Sequence, residues 1–529
     1  MEDGKLELFD HLVVVMFENR SFDNVLGYLY EAGSVPRDQK FNGVAGCSYS
    51  NPVPSYINDG NRSVTVRRSP GSGPDMSNPN PDPGEEYPHV NTQLFNIVNP
   101  PSNEFQRASH RKSQQSGYMK EPWNSPTHDQ TPTMDGFVHD YCSNFVSVNT
   151  EFPLENQLPN FDQYRVIMDC FGPESLPVIN TLASEFAVYD AWFSAVPSQT
   201  FCNRSFFQAS SSSGFLDNEP YAKWLLNIAP TIFNRLADAG LSWKVYYDAK
   251  QCIPLTALIH APMLKKYWKT NFATMETFYA DVAGGRLPAY AFVEPRMFWG
   301  HNDYHPPAAL IEGTSIGATS DVRAGELLLH QVYSAVRASA STPGSNALNT
   351  LLLVTFDEHG GTYDHVAPPR AVAPQGLLLE HEYDFGFDRL GVRVPTIAIS
   401  AYTQKNTVIN RGVHHGTVIS SLCEKYHLKP LTDRDRHAPS LADALNLETP
   451  RPPLTWPVTV PPPVSPGALY ADPLSPEIAK RPLNKLERDI VGLAMTVIDG
   501  HAPDPADIPT NLGAAFDLMC RLAEGAFGA

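Results

Sequence analysis

Apolar residues collect into short continuous runs at three places along the chain. Leu12–Phe17 (LVVVMF), Leu351–Phe356 (LLLVTF) and Val394–Ser400 (VPTIAIS) each hold a nearly unbroken apolar stretch. Runs this short and rich in β-branched residues predict strands buried on both faces, as in a parallel sheet. Between them the apolar positions change to helical spacing, at Ile232–Ala239 and Ala324–Ala338. Strands alternating with helices predict an α/β fold, a mainly parallel central sheet flanked by helices. Far downstream, Leu486, Ile490, Leu493 and Val497 share one helical face, which predicts an amphipathic helix docked on the main domain.

Two stretches break these patterns. Residues 40–90 are crowded with Gly, Pro, Asn and Ser and carry turn pairs at Pro70-Gly71 and Pro83-Gly84, and Ser102–Thr133 is polar and irregular. We read 40–150 as a long irregular insertion that caps the site, since loops of such length are usually functional. Pro450–Pro476 is Pro-rich and reads as an extended linker. The expected organisation is a catalytic domain over 1–449, then a linker and helical segment over 450–529.

Composition narrows the function. The 529 residues are 42% hydrophobic and 18% charged, with a net charge of −18. Such an acidic chain offers no basic stripe to displace counterions from a nucleic acid, so that partner is not expected. No segment reaches the roughly 18 apolar residues of a membrane-spanning helix, so no transmembrane anchor is expected. The start, MEDGKLELFD, lacks a basic and then apolar leader. The expected location is therefore cytoplasmic, or secreted or periplasmic if an export signal was removed. Seven scattered cysteines without a C-x-x-C pair read as buried thiols.

The chemistry gathers at strand ends. The first run passes straight into Glu18-Asn19-Arg20-Ser21 and the second into Asp357-Glu358-His359-Gly360-Gly361. Ligands in open α/β sheets bind outside the carboxyl ends of the strands. Glu18, Asn19, Asp357 and Glu358 would bring four hard oxygen donors to one spot, where clustered carboxylates need a cation. Oxygen ligands suit one divalent Ca, Mg or Mn ion better than Zn. In SAVPSQTFCNR (Ser194–Arg204), a turn around Pro197 can present Thr200 as a metal-activated nucleophile, with Arg204 near the phosphate charge. His301, Asp303 and His305 lie within one short stretch, and His359, Asp364 and His365 within another. Imidazoles beside carboxylates serve as acids and as donors to phosphate oxygens. We expect His305 and His365 to contact phosphate or the leaving oxygen, with Asp303 and Asp364 orienting them.

Together these segments resemble a known family. Glu18–Asp23 (ENRSFD), Thr355–Pro369 (TFDEHGGTYDHVAPP), VPSQTFCNR, Phe387–Val394 (FDRLGVRV) and Asp303–Pro307 are similar to motifs of the phosphoesterase family. That family includes the phosphatidylcholine-preferring, non-zinc bacterial phospholipases C and a related acid phosphatase. The resemblance spans roughly residues 10–445. It implies an alkaline-phosphatase-like α/β sandwich and one metal held by Glu18, Asn19, Thr200, Asp357 and Glu358. It also implies a phospho-threonine intermediate on Thr200, and it is what brings His89 and His415 in as substrate-binding residues. The chain departs from the family at Ser198-Gln199, where Gly-Pro is usual, and at Cys202, where Pro is usual. His414-His415-Gly416-Thr417 stands where Asp-His-Thr-Ser is usual.

The expected activity is phospholipase C-type cleavage of a phosphodiester, with phosphomonoester hydrolysis as the alternative. The expected substrate is a phosphate ester, a phospholipid or phosphocholine ester in particular. Aromatic residues near the site, Trp192, Phe193, Phe298, Trp299 and Tyr304, suggest a cage for a quaternary ammonium. A sulfatase is discounted because Cys252–Thr256 (CIPLT) lacks the Arg of that motif. A catalytically inactive, metal-stabilised binding protein is the rival of another class, and it would be favoured by loss of any of the five ligands, all of which are present.

Overall fold

The runs that predict buried strands lie at the centre of one sheet. The computed structural model describes residues 4–36, 38–71, 76–149, 158–307, 321–375, 379–464 and 472–527. Eight strands form the main sheet: β1 (His11–Phe17), β2 (Ala187–Tyr189), β3 (Trp243–Tyr247), β4 (Phe272–Thr274), β5 (Tyr290–Glu294), β6 (Thr350–Phe356), β7 (Thr396–Ile399) and β8 (Thr407–Ile409). Their spatial order is β8-β2-β7-β6-β1-β5-β3-β4. β1 pairs in parallel with both β5 and β6. Only β7 runs against its neighbours, β6 and β2. The expectation of a mainly parallel sheet flanked by helices is met, and Val394–Ser400 contains the antiparallel strand.

Register decides where the chemistry goes. Along β1 and β6 the pairing runs from His11 opposite Thr350 to Phe17 opposite Phe356. Glu18 and Asp357 therefore leave the sheet side by side, although Asn19 and Asp357 are 338 positions apart. The predicted helices appear as Ile232–Asp238 and Val322–Ala338.

The segment 40–150 is less irregular than its composition suggests. It contains helices Tyr87–Phe95 and Phe137–Asn149 and a small hairpin, Ser50–Pro52 with Ser63–Thr65. These close over a core of their own that includes Val64, Val90, Leu94, Phe137, Val138 and Tyr141. Phe137, Tyr141 and Phe145 fall at helical spacing, a signal outweighed by the turn residues around it.

Downstream, Pro457 and Thr459 lie against the helix Val322–Ala338, accepting from Tyr333 Oη (2.8 Å) and bonding His330 (2.8 Å). Residues 465–471 of the Pro-rich stretch lie outside the described residues. The amphipathic helix is found at Lys485–Asp499, with Leu486, Ile490, Leu493 and Val497 all buried. It shares a hydrophobic cluster with Phe201, Phe206, Leu258 and Trp268, and so docks on the main body.

Candidate active site

Glu18, Asn19, Asp357 and Glu358 follow the ends of β1 and β6, and Thr200 reaches them through Glu18. The helix Thr200–Ala209 begins with Thr200, whose hydroxyl donates to Glu18 Oε2 at 3.2 Å. The turn before it is tied by Asn203. That amide nitrogen donates to the carbonyls of Val196 (3.1 Å), Ser198 (2.6 Å) and Gln199 (3.2 Å), while its oxygen accepts from the Val196 N–H (3.0 Å). Thr200 is thus fixed at the first turn of a helix whose own positive end favours an anion.

Glu18, Asp357 and Glu358 are fully buried, and Arg204 lies beneath two of them. The guanidinium reaches Glu18 at 2.5 Å and Asp357 at 3.1 Å. It is taken up by these carboxylates, with only Nη1 left without a partner. Burial, with the Asp357 charge adding to it, pushes the Glu18 carboxyl well above its usual range despite the opposing Arg204. Burial, then Glu85 and Asp357, do the same to Glu358. One arginine against three buried carboxylates leaves an excess of negative charge that calls for a cation.

Asn19 stands between the two strand ends with a left-handed backbone, φ 54°. Its side-chain nitrogen donates to Glu85 Oε2 (2.5 Å) and to His305 Nε2 (3.0 Å). Both are acceptors, so the amide orientation is determined and the buried Oδ1 is the atom left without a partner. Glu358 Oε1 is likewise buried and unpaired. Gly360, at φ +57°, lets the second strand-end turn pass over Asn19, because a Cβ there would lie 2.3 Å from the Asn19 carbonyl oxygen.

His305 donates from Nδ1 to the Pro306 carbonyl (2.6 Å), which leaves Nε2 as the bare nitrogen facing Asn19. Burial lowers its pKa to about 4, so the ring is neutral. Asp303 accepts from the His305 N–H (3.0 Å) and pairs with His301 (2.9 Å). His415 is also neutral, its pKa lowered to about 4 by burial. Trp192 donates to its Nδ1 (3.2 Å) and its Nε2 donates to the Asp357 carbonyl (2.6 Å), so it buttresses the Asp357 turn.

Other expected site residues lie in separate groups. His365 and Asp364 join Asp23 and Arg393 in a second cluster: His365 Nδ1 donates to Asp23 Oδ2 (2.6 Å), and Arg393 pairs with Asp23 (2.9 Å) and Asp364 (2.9 Å). His89 is buried against Asp140 (2.8 Å). The aromatic cage is not formed. Trp192, Phe193, Phe298, Trp299 and Tyr304 are all buried core. Tyr304, for example, packs edge-on to Phe17 and bonds Glu326 (2.7 Å), so no open ring face is left to receive a cation.

Several participants escaped the sequence reading. Glu85 holds Asn19, Gln93 bonds His359 (2.8 Å), and Gln199 lies beside Glu85 (3.4 Å). The turn Asp82-Pro83-Gly84 before Glu85 was the one local signal available. Among the described residues, two groups of acid and histidine ligand atoms gather within 4.8 Å and could hold a metal: Asp23, Asp364 and His365, and Asp82, Glu85 and His305. In the first, Arg393 already neutralises the carboxylates. In the second, Glu85 and His305 both bond the Asn19 amide nitrogen.

Residues 9–429 match the phosphoesterase family. Non-specific phospholipase C3 of Arabidopsis thaliana is 32% identical over 470 residues, covering 85% of this chain and 75% of the relative. Phospholipase C B of Mycobacterium tuberculosis is 24% identical over 454 residues, covering 80% of this chain and 74% of that protein. Among solved structures, a protein of the alkaline phosphatase superfamily from Vibrio parahaemolyticus aligns at 9% identity with a TM-score of 0.31, over 63% of this chain and 84% of that one.

Proposed function

The chain belongs to the phosphoesterase family and is a phosphoric ester hydrolase, and from that premise we propose that it cleaves a phospholipid-type phosphodiester through a phospho-threonine on Thr200, with one divalent metal ion. The observation that carries this reading is the Thr200 hydroxyl bonded to Glu18, together with two buried, unpartnered oxygens at the same two strand ends, Asn19 Oδ1 and Glu358 Oε1. Oxygens without partners in a buried, negatively charged recess fit a hard cation. Glu18, Asn19, Thr200, Asp357 and Glu358 would hold it, and Ca, Mg or Mn suits them better than Zn. When bound, such an ion lowers the pKa of a coordinated hydroxyl and offsets charge on the transferring group.

The chain's own residues then have separate tasks. Thr200 Oγ1 bonds to phosphorus as the ester bond to the leaving oxygen breaks, and its proton passes to Glu18 Oε2, which already accepts it, and from there to the departing alkoxide, which leaves as the alcohol. Water later cleaves the Oγ1–phosphorus bond and restores Thr200. Arg204 bridges Glu18 and Asp357 and offsets part of their charge. Glu85 and His305 hold the Asn19 amide, and Asp303 holds His305. The names of the relatives support the lipid diester as substrate.

Thr200→Ala is expected to abolish turnover and Thr200→Ser to keep part of it. Near-normal kcat in Thr200→Ala would remove the covalent step. The diester reading expects kcat/KM on para-nitrophenyl phosphorylcholine to exceed that on para-nitrophenyl phosphate, and a clear excess on the monoester would overturn it.

A further inference from the structure

A cavity of about 280 Å³ lies where the segment Asp82–His89 meets the start of the helix Lys485–Asp499. Glu85, in its wall, bonds both Asn19 and Gln199, so the cavity adjoins the reacting group. Most of its lining residues are charged or polar, with Pro83, Ala108 and Tyr118 among the others. Its charged side chains offer partners to a polar head group.

Most charges in this wall already have partners. Lys112 pairs with Glu219 (2.8 Å), Lys485 pairs with Glu86, and Asp489 accepts from Asn218 (3.0 Å) and Tyr221 (3.0 Å). Two ionisable side chains have bonding capacity left. Arg488, partly exposed in the first turn of the helix Lys485–Asp499, makes no side-chain hydrogen bond or ion pair to a described residue. Asp82 Oδ1 is buried without a hydrogen-bond partner, and Asp82 Oδ2 lies 3.9 Å from His305 Nε2. Burial, with Glu85 adding to it, pushes the Asp82 carboxyl well above its usual range, so a cation beside it and an anion at Arg488 would complete the recess.

We propose that this cavity is the head-group subsite and selects a serine-type head group, its ammonium against Asp82 and its carboxylate against Arg488. The proposal rests on the phosphodiester reading above. Asp82 lies beside His305 and hence next to the phosphoryl position, and the ammonium of such a head group is separated from phosphorus by only two carbons and the ester oxygen. The carboxylate branches from the same carbon as the ammonium, so one head group can present both charges at once, the second to the wall supplied by the helix Lys485–Asp499. There the forked donors of Arg488 match its two oxygens. Arg488 lies beyond residues 9–429, so selectivity would come from a part of the chain outside the family match.

The test is kcat/KM of the metal-loaded protein on short-chain phospholipids with serine, ethanolamine, choline and glycerol head groups. The serine head group is expected to be preferred. Arg488→Gln should reduce the serine-to-ethanolamine ratio by about tenfold, the size of one partly solvated charge-assisted pair, and Arg488→Lys should keep part of it. The ratio is taken within one preparation, so a loss of folded protein cancels. A ratio unchanged in Arg488→Gln, or no preference in the wild type, overturns the subsite and leaves the diester reading standing. Failure to cleave any of the four lipids while para-nitrophenyl phosphate is hydrolysed overturns both.

Discussion

At the scale of single residues, the site is made of side chains that have few alternatives. Asn19 occupies the left-handed region, where asparagine is among the better-tolerated residues, and its nitrogen is committed to Glu85 and His305. Its oxygen is thereby the atom left over. His301 shows the same economy. Burial disfavours its charge, yet Asp303 at 2.9 Å and Glu487 at 3.6 Å outweigh that and hold its pKa at about 9. A histidine raised above its ordinary 6.5 adds stability in full below that pH, and the contribution disappears as pH climbs through about 9. The Tm difference between wild type and His301→Gln should therefore shrink from pH 6.5 to 9. Parallel Tm curves across that range would show that His301 is not charged in the folded protein.

At the scale of elements, the turn before the helix Thr200–Ala209 depends on one amide. Removing Asn203 leaves the carbonyls of Val196 and Ser198 and the Val196 N–H without that partner in a buried place. Each unsatisfied buried group costs about 1–3 kcal/mol, so Asn203→Ala should lower stability by that order and reduce kcat by displacing Thr200. Denaturant titration and steady-state kinetics read the two effects. Unaltered kcat would separate this turn from catalysis. The strands β1 and β6 were legible because each is a continuous apolar run. β5, Tyr290–Glu294, was harder to read, since a tyrosine and a glutamate flank only three apolar residues, although all five are buried. The helix Phe137–Asn149 was hidden by the turn residues around it, and its stability comes from packing on Tyr87–Phe95 within the insertion's core.

At the scale of the whole molecule, a net charge of −18 is joined by buried carboxylates at one end of the sheet. A ligand that binds only the folded state stabilises it by mass action. Chelation should therefore lower activity and Tm together, and a divalent ion should restore both. Full activity in protein shown by elemental analysis to be metal-free would dismiss the metal. The sequence by itself determined the α/β class, the two strand ends and the motif-bearing turns, because short apolar runs and the residues that follow them are local features of the chain. Only the tertiary structure decided which of the many acids and histidines meet. The register of Phe17 with Phe356 places Glu18 beside Asp357. The fold of the insertion brings Glu85 to Asn19, while His365 goes to Asp23 and His89 to Asp140. Those pairings join residues far apart in the chain, and they are selected by packing and by the cost of leaving a buried charge unpaired, neither of which is written in local spacing.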